Sequence, residues 1–351
     1  MRILILGGTG AIGEHLVRLL TLEGVEIYVT TRKNHTSSGS LQYIHGDAHD
    51  ITFLTNLLKQ KYDLIVDFMA YSTEEFYARA ELLLTSCGQY FYLSSSRVYA
   101  ETDKPITEES PRLLDVCKDK TYLSSDEYAL AKARQENILL DSRFKNWVII
   151  RPYITYSETR LQLGVLEKES WLFRALNGHK VVFCGDLLNR KTTLTYGYDV
   201  ARGIRTLLGS SEANSQSFHI TQQKSLSWMD VWNIYCDVIK DKCGYAPEMV
   251  NVDLKTFIWI HNGKYQIIYD RMYDRIFDNS KINNFCDSSL FLTPEIGLRN
   301  CLGAFMDEKR SFVAHGYGGE GKKDKITREF WDLSTIDGYQ AKIKYLVRRF
   351  L

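Results

Sequence analysis

The chain has 351 residues, 44% of them hydrophobic, enough to bury a full core as one large domain or two interlocked ones. Its 44 basic and 43 acidic residues leave a net charge of +1, which gives no global reason to expect nucleic acid or an anionic membrane as partner. No apolar run approaches the roughly 18 residues a spanning helix needs, and Met1-Arg2 leads straight into a short apolar strand without a signal-peptide pattern, so a cytoplasmic protein is expected.

The first strand is Arg2-Ile3-Leu4-Ile5-Leu6, a continuous apolar run of the kind buried on both faces of a sheet. It is closed by Gly7-Gly8-Thr9-Gly10-Ala11-Ile12-Gly13, after which Ile12, Leu16, Leu19 and Leu20 recur at helical spacing. In this turn Gly7 permits the sharp bend and Gly10 lets the backbone approach a pyrophosphate. Gly13 lets the helix pack closely, and the helix N-terminus holds the phosphate charge. Gly7, Thr9, Gly10, Ala11, Ile12 and Gly13 are therefore assigned to a dinucleotide. A second strand over residues 25–30 leads into Thr31-Arg32-Lys33. An acid there would grip the adenosine ribose, whereas Arg32 can pair with a 2′-phosphate, so NADP is favoured and NAD is the alternative. Two basic residues on a solvated loop are the plainer reading. Asp47, after the third strand, is placed to accept from the adenine amino group, or is an ordinary turn aspartate.

Further β-rich runs cover residues 64–68, 90–93 and 147–150, with helical stretches between them. This alternation predicts a parallel, doubly wound α/β sheet of Rossmann type. Residues 1–155 are expected to form the dinucleotide-binding domain. Residues 156–351 are expected to form a smaller mixed α/β substrate-binding region, with some segments returning to the sheet. In that region helices are predicted over 165–176, 199–208 and 228–239, an isolated strand over Val181–Cys184, and a flexible surface loop over 316–324.

Seven scattered cysteines without CxxC spacing read as free thiols, and the eight histidines form no ligand motif, so no metal is predicted. Chance alone would supply a Tyr-x-x-x-Lys spacing in a chain this rich in both residues. Tyr128 and Lys132 gain meaning from position, on a predicted helix after Ser94-Ser95-Ser96 and before Arg151-Pro152. Residues i and i+4 share a helix face, so Lys132 can set its ammonium beside the phenol. Moving a tyrosine from near pH 10 to about 7 takes about 4 kcal/mol, which a nearby cation and a bound nicotinamide could supply. Ser95 would donate to the substrate oxygen where charge develops.

With these strings, and with Thr195-Tyr196-Gly197-Tyr198-Asp199-Val200-Ala201 later in the chain, the sequence resembles the extended short-chain dehydrogenase/reductase family of nucleotide-sugar epimerases, dehydratases and ketoreductases. The resemblance covers most of the chain and is stronger in its N-terminal half. It implies that Ser95, three residues before the valine of Val98-Tyr99, is the catalytic hydroxyl and that Tyr128 is the acid/base. It implies that Lys132 also binds the nicotinamide ribose and that Phe68, Ala70 and Tyr153 border the cofactor. Tyr71, Ser96, Arg97, Arg190 and Lys191 are the substrate-binding candidates it suggests, and a homodimer is the family's habit.

Departures narrow the reaction. The dehydratases carry an Asp-Glu pair after the catalytic hydroxyl, where this chain has Ser96-Arg97. Thr192 stands where the family often places an arginine for the substrate diphosphate. Arg32 favours an NADP-dependent reduction of a nucleotide-linked 4-keto-6-deoxy sugar for a surface polysaccharide. A 4-epimerase with tightly held cofactor is the alternative, and a catalytically silent NADP-binding sensor or structural module is the non-enzyme one.

Overall fold

Strand β1 (Arg2–Leu6) is the hub of the architecture, and its side chains divide between two cores. Ile3 and Ile5 enter one apolar cluster, and Leu4 and Leu6 enter another. Successive residues of a strand point to opposite faces, which is why the run is apolar without alternation. The computed structural model describes residues 1–312 and 316–351.

The other strands of the N-terminal part are β2 (Glu26–Thr31), β3 (Leu41–His45), β4 (Tyr62–Asp67), β5 (Cys87–Leu93) and β6 (Trp147–Pro152). With the later strand Gln216–Ile220 they form one parallel seven-stranded sheet, in the order Gln216–Ile220, β6, β5, β4, β1, β2, β3. Ile3 sits opposite Ile27 on one side and Leu64 on the other. Helix α1 (Gly13–Leu22) supplies Leu16, Val17 and Leu20 to the first core, joined by Val200, Ile204 and Leu207 from the helix Gly197–Leu207. Helices α2 (Ile51–Leu58) and α3 (Thr73–Thr85) cover the opposite face with Leu54, Leu57, Phe76 and Leu83. Asp50 caps α2, and Ser72 with Glu75 forms a capping box on α3, so each helix begins where a side chain satisfies its open amides. The doubly wound sheet expected from the sequence is present.

The chain divides into two compact units. The first holds Met1–Ser157, Thr193–Ser225 and Arg275–Pro294, and the second holds Glu158–Thr192, Leu226–Asp274 and Glu295–Leu351. In the second unit Val181–Cys184 is not isolated, because it pairs in parallel with Met249–Val252. The predicted helix over 165–176 is helical only at Leu172–Leu176. Gly164 takes a left-handed turn (φ +60°) and Leu163 bridges Leu166, so Leu166 and Trp171 are buried without a continuous helix.

The glycine-rich segment expected to be a loop is a helix, Tyr317–Thr327. Its charged residues are buried for an electrostatic reason. The fully buried Arg174 donates to Glu320 at 2.5 Å, to Asp324 at 2.8 Å and to Glu329 at 3.0 Å, while Lys323 donates to Glu320 at 2.6 Å. His179 approaches Asp324 and Glu329 as well, but the guanidinium already pairs with both acids, so the group reads as an ion-pair network. Among the described residues no helix is long and apolar enough to cross a membrane.

Candidate active site

Parallel strands present their carboxyl ends along one edge of the sheet, and that edge carries the glycine turn and the strand-end candidates. Gly7 leaves β1 with φ +70°, and a Cβ there would meet Met69 Sδ at 2.9 Å. A Cβ at Gly13 would strike the Gly8 backbone at 2.7 Å, so the start of α1 is pressed onto the turn, as the packing argument requires. At Gly10 no atom lies within 4 Å of that position, and the turn is open there for a close ligand approach. Thr9, Ala11 and Ile12 complete the turn, and the Gly7 amide is held by Thr30 Oγ1 at 3.1 Å. These residues fit a dinucleotide pyrophosphate.

The neighbouring strand ends carry the remaining cofactor candidates. Thr31 is buried and its hydroxyl accepts from the Lys33 amide, while Arg32 is exposed at the end of β2. Asp47 accepts from the His49 amide at 2.9 Å, so one of its oxygens is engaged in the turn. Phe68 and Ala70 follow β4, with Ala70 exposed. Tyr153 is buried after β6, its ring 5.4 Å from that of Phe277.

Tyr128 opens the helix Tyr128–Leu140 and is 41% exposed, whereas Lys132, one turn on, is only 2% exposed. The Lys132 ammonium lies 5.9 Å from the Tyr128 ring centre. It donates to the Leu93 carbonyl at 2.8 Å and the Met69 carbonyl at 3.4 Å. Burial pulls its pKa down to about 8, against the opposing pull of Asp67 and Glu136. The buried Asp67 accepts from Tyr90 Oη at 2.8 Å and the Met69 amide at 2.9 Å. Burial raises its pKa, and those donors, Lys132 and Tyr71 restrain the rise.

The serine string divides three ways. Ser94 donates to Glu136 at 2.6 Å, Ser95 Oγ accepts from the Arg97 amide at 3.2 Å, and Ser96 donates to the Arg151 carbonyl at 2.8 Å. Arg97 places its guanidinium 5.2 Å from the Tyr128 ring centre and pairs with Glu127 at 2.6 Å. The structure thus gathers Ser95, Arg97, Tyr128 and Lys132.

Two of the substrate candidates are buried. Ser96 is wholly buried with its hydroxyl committed to the main chain, so it fastens the turn. Tyr71 is buried too, with Arg79 over its ring at 4.3 Å and its hydroxyl 3.5 Å from Asp67. Arg190 and Lys191 lie in the second unit, where Lys191 donates its amide to Asp274 at 2.8 Å.

A model of the NAD dependent epimerase/dehydratase family matches residues 3–220. The chain belongs to that family. Among curated proteins it is 26% identical over 278 residues to the chloroplast stem-loop binding protein of 41 kDa b from Arabidopsis thaliana, covering 73% of this chain and 67% of that one. Among solved structures, UDP-glucuronic acid 4-epimerase from Bacillus cereus, in complex with UDP-glucuronic acid and NAD, matches with TM-score 0.67 at 16% identity. The match covers 88% of this chain and 100% of that one. The Bordetella bronchiseptica enzyme WbmH, in complex with NAD+, matches with TM-score 0.65 at 15% identity over 89% of this chain and 99% of that one. The similarity to these structures establishes a shared fold.

As a member of the NAD dependent epimerase/dehydratase family, the chain is an NAD-dependent enzyme by class. Its buried shell was not legible as such. Glu136, fully buried, accepts from Ser94, from Arg151 Nε and Nη2 at 2.8 Å each and from Arg112 at 3.2 Å. The available signal was spacing, because Glu136 lies four residues beyond Lys132 on the same helix face.

Proposed function

We propose that the chain acts at C4 of a nucleotide-linked sugar, with Tyr128 as acid/base, Ser95 as the hydroxyl that polarises the reacting oxygen, and Lys132 as the cation that tunes Tyr128. The observation that carries this reading is the Tyr128–Lys132 pair, an exposed phenol backed by a buried ammonium whose donors are held by the Leu93 and Met69 carbonyls. A bound nicotinamide cofactor would supply the hydride acceptor and donor. Tyr128 takes the sugar hydroxyl proton when C4 is oxidised and returns it when C4 is reduced. Lys132 stabilises the phenolate between those steps, and Ser95 holds the oxygen on which charge changes.

Two outcomes use this machinery. Epimerisation at C4 is supported by the Bacillus cereus 4-epimerase sharing the fold. Net reduction of a 4-keto-6-deoxy sugar by NADPH is supported by Arg32, exposed at the end of β2, where a 2′-phosphate would sit. We favour epimerisation, since it needs no exchange with a reduced pool. The test is to incubate the purified protein with UDP-linked sugars and, separately, with 4-keto-6-deoxy sugars plus NADPH. Interconversion of C4 epimers without net cofactor change supports the first outcome. Stoichiometric NADPH oxidation selects the second, and neither activity in cofactor-loaded protein overturns both.

A second reading rests on the Arabidopsis relative, whose identity to this chain exceeds that of the solved epimerases. Stem-loop binding would use the same fold without turnover. A salt-sensitive gel shift with an RNA hairpin, from protein inactive on every sugar, would select it.

A further inference from the structure

The balanced total charge conceals a segregated terminal segment. The helix Tyr339–Phe350 carries Lys342, Lys344, Arg348 and Arg349, and residues 338–351 include no acidic side chain. Its apolar residues are placed unusually. Tyr339, Ile343, Phe350 and the following Leu351 are 86%, 60%, 62% and 88% exposed, and Val347 is exposed with them. Spacings of four, four and three residues set these side chains in one line along the helix. Phe330, half-exposed, extends the line, with its ring 6.3 Å from that of Phe350.

The opposite face of this helix is fixed to its own unit. Tyr345 is fully buried; its hydroxyl donates to Asp324 at 2.6 Å and accepts from the Trp331 amide at 2.6 Å. Arg349 Nε donates to the Glu329 carbonyl at 2.9 Å. At Gly321 a Cβ would press into the backbone around Tyr345, and at Gly318 into the Lys344 stem, so the neighbouring helix Tyr317–Thr327 approaches closely at its glycines. The helix cannot roll to hide its apolar line without breaking these bonds. Around the helix, Lys344 and Arg348 flank the line on one side and Lys342 and Arg349 on the other.

We propose that this face docks on an anionic lipid bilayer surface. An outward apolar line flanked by the long cationic side chains of Lys342, Lys344 and Arg348 matches a planar interface, where the apolar groups enter the headgroup boundary and the cations meet lipid phosphates. A second copy of the chain would bring like charges together, which disfavours self-association through this face. The surface requires no spanning helix and is independent of the chemistry proposed at C4.

The test is co-sedimentation of the full chain with vesicles of phosphatidylcholine alone and of phosphatidylcholine with about one-third phosphatidylglycerol. Binding to the anionic vesicles alone, weakened by salt, is expected. The Lys344→Gln/Arg348→Gln variant should weaken it on the order of tenfold, and Ile343→Ser/Val347→Ser should abolish it, with unfolding temperatures unchanged. Absence of wild-type binding to the anionic vesicles overturns the proposal, whatever the variants do. Binding that both variants retain also overturns it. So does a wild-type dimer that dissociates in the serine variant, which would assign the face to a second copy.

Discussion

Arg97 and Glu127 tie the serine turn to the start of the tyrosine helix, with guanidinium and carboxylate 2.6 Å apart. The same Glu127 caps that helix through the Ala129 amide at 2.9 Å and accepts from Tyr122 at 3.2 Å. The pair is largely shielded from solvent and stands next to Tyr128. It therefore bears on where the serine turn sits relative to the start of the tyrosine helix. Arg97→Gln and Glu127→Gln should each lower kcat more than they weaken cofactor binding. A double-mutant cycle read by thermal unfolding should show coupling of about 1 kcal/mol. Additive losses would mean that the two residues act separately.

Tyr128→Phe removes one oxygen from an exposed ring and leaves the packing of its helix intact. Turnover should fall by about 10³-fold or more while the dissociation constant for the dinucleotide changes little. Parallel loss of both, measured by assay and by fluorescence titration, would remove Tyr128 from the acid/base role.

Lys132 should trade stability against activity. Its folded pKa of about 8 lies below the ordinary lysine value of 10.5. Between those values the unfolded chain binds the extra proton, so stability should rise as pH increases through this window. Below about pH 8 the lysine is protonated in both states but buried only in the folded one, so its cost is constant at about 3 kcal/mol. Lys132→Met should therefore melt higher than the wild type at pH 7 yet lose its turnover. Wild-type activity should decline as pH passes 8, because the ammonium that tunes Tyr128 is lost. A lower melting temperature for Lys132→Met would show that its hydrogen bonds outweigh its desolvation.

Arg32→Ala tests cofactor choice. If the guanidinium meets a 2′-phosphate, NADPH should bind about tenfold more weakly or worse, and NADH should be nearly unaffected. Equal effects in calorimetric titrations would leave Arg32 as a solvated surface residue.

Arg174 holds three carboxylates in the second unit. Arg174→Met keeps much of the volume but leaves Glu320 and Asp324 buried without their guanidinium. A loss of about 3–5 kcal/mol in chemical denaturation is expected. The loss should shrink at low pH, where those carboxyls can protonate. A loss below about 1 kcal/mol would indicate that Lys323 alone sustains the network.

Local sequence determined the parts whose physics is local. The unbroken apolar run of β1, the glycine turn, and the four-residue step from Tyr128 to Lys132 each follow from strand burial, backbone sterics or helix geometry. Tertiary structure decided whatever depended on partners far along the chain. The helix Tyr317–Thr327 reads as a loop by its glycines, and its acids are buried because Arg174, 146 residues before Glu320, lies against them. Ser95 and Ser96 are neighbours of identical chemistry, yet only the Ser96 hydroxyl is drawn to a carbonyl 55 residues away. Asp67 and Glu136 shape the charge around Lys132 from two different elements. Electrostatics acts through space at distances of a few ångströms, so such groups are found only once the fold has brought them together.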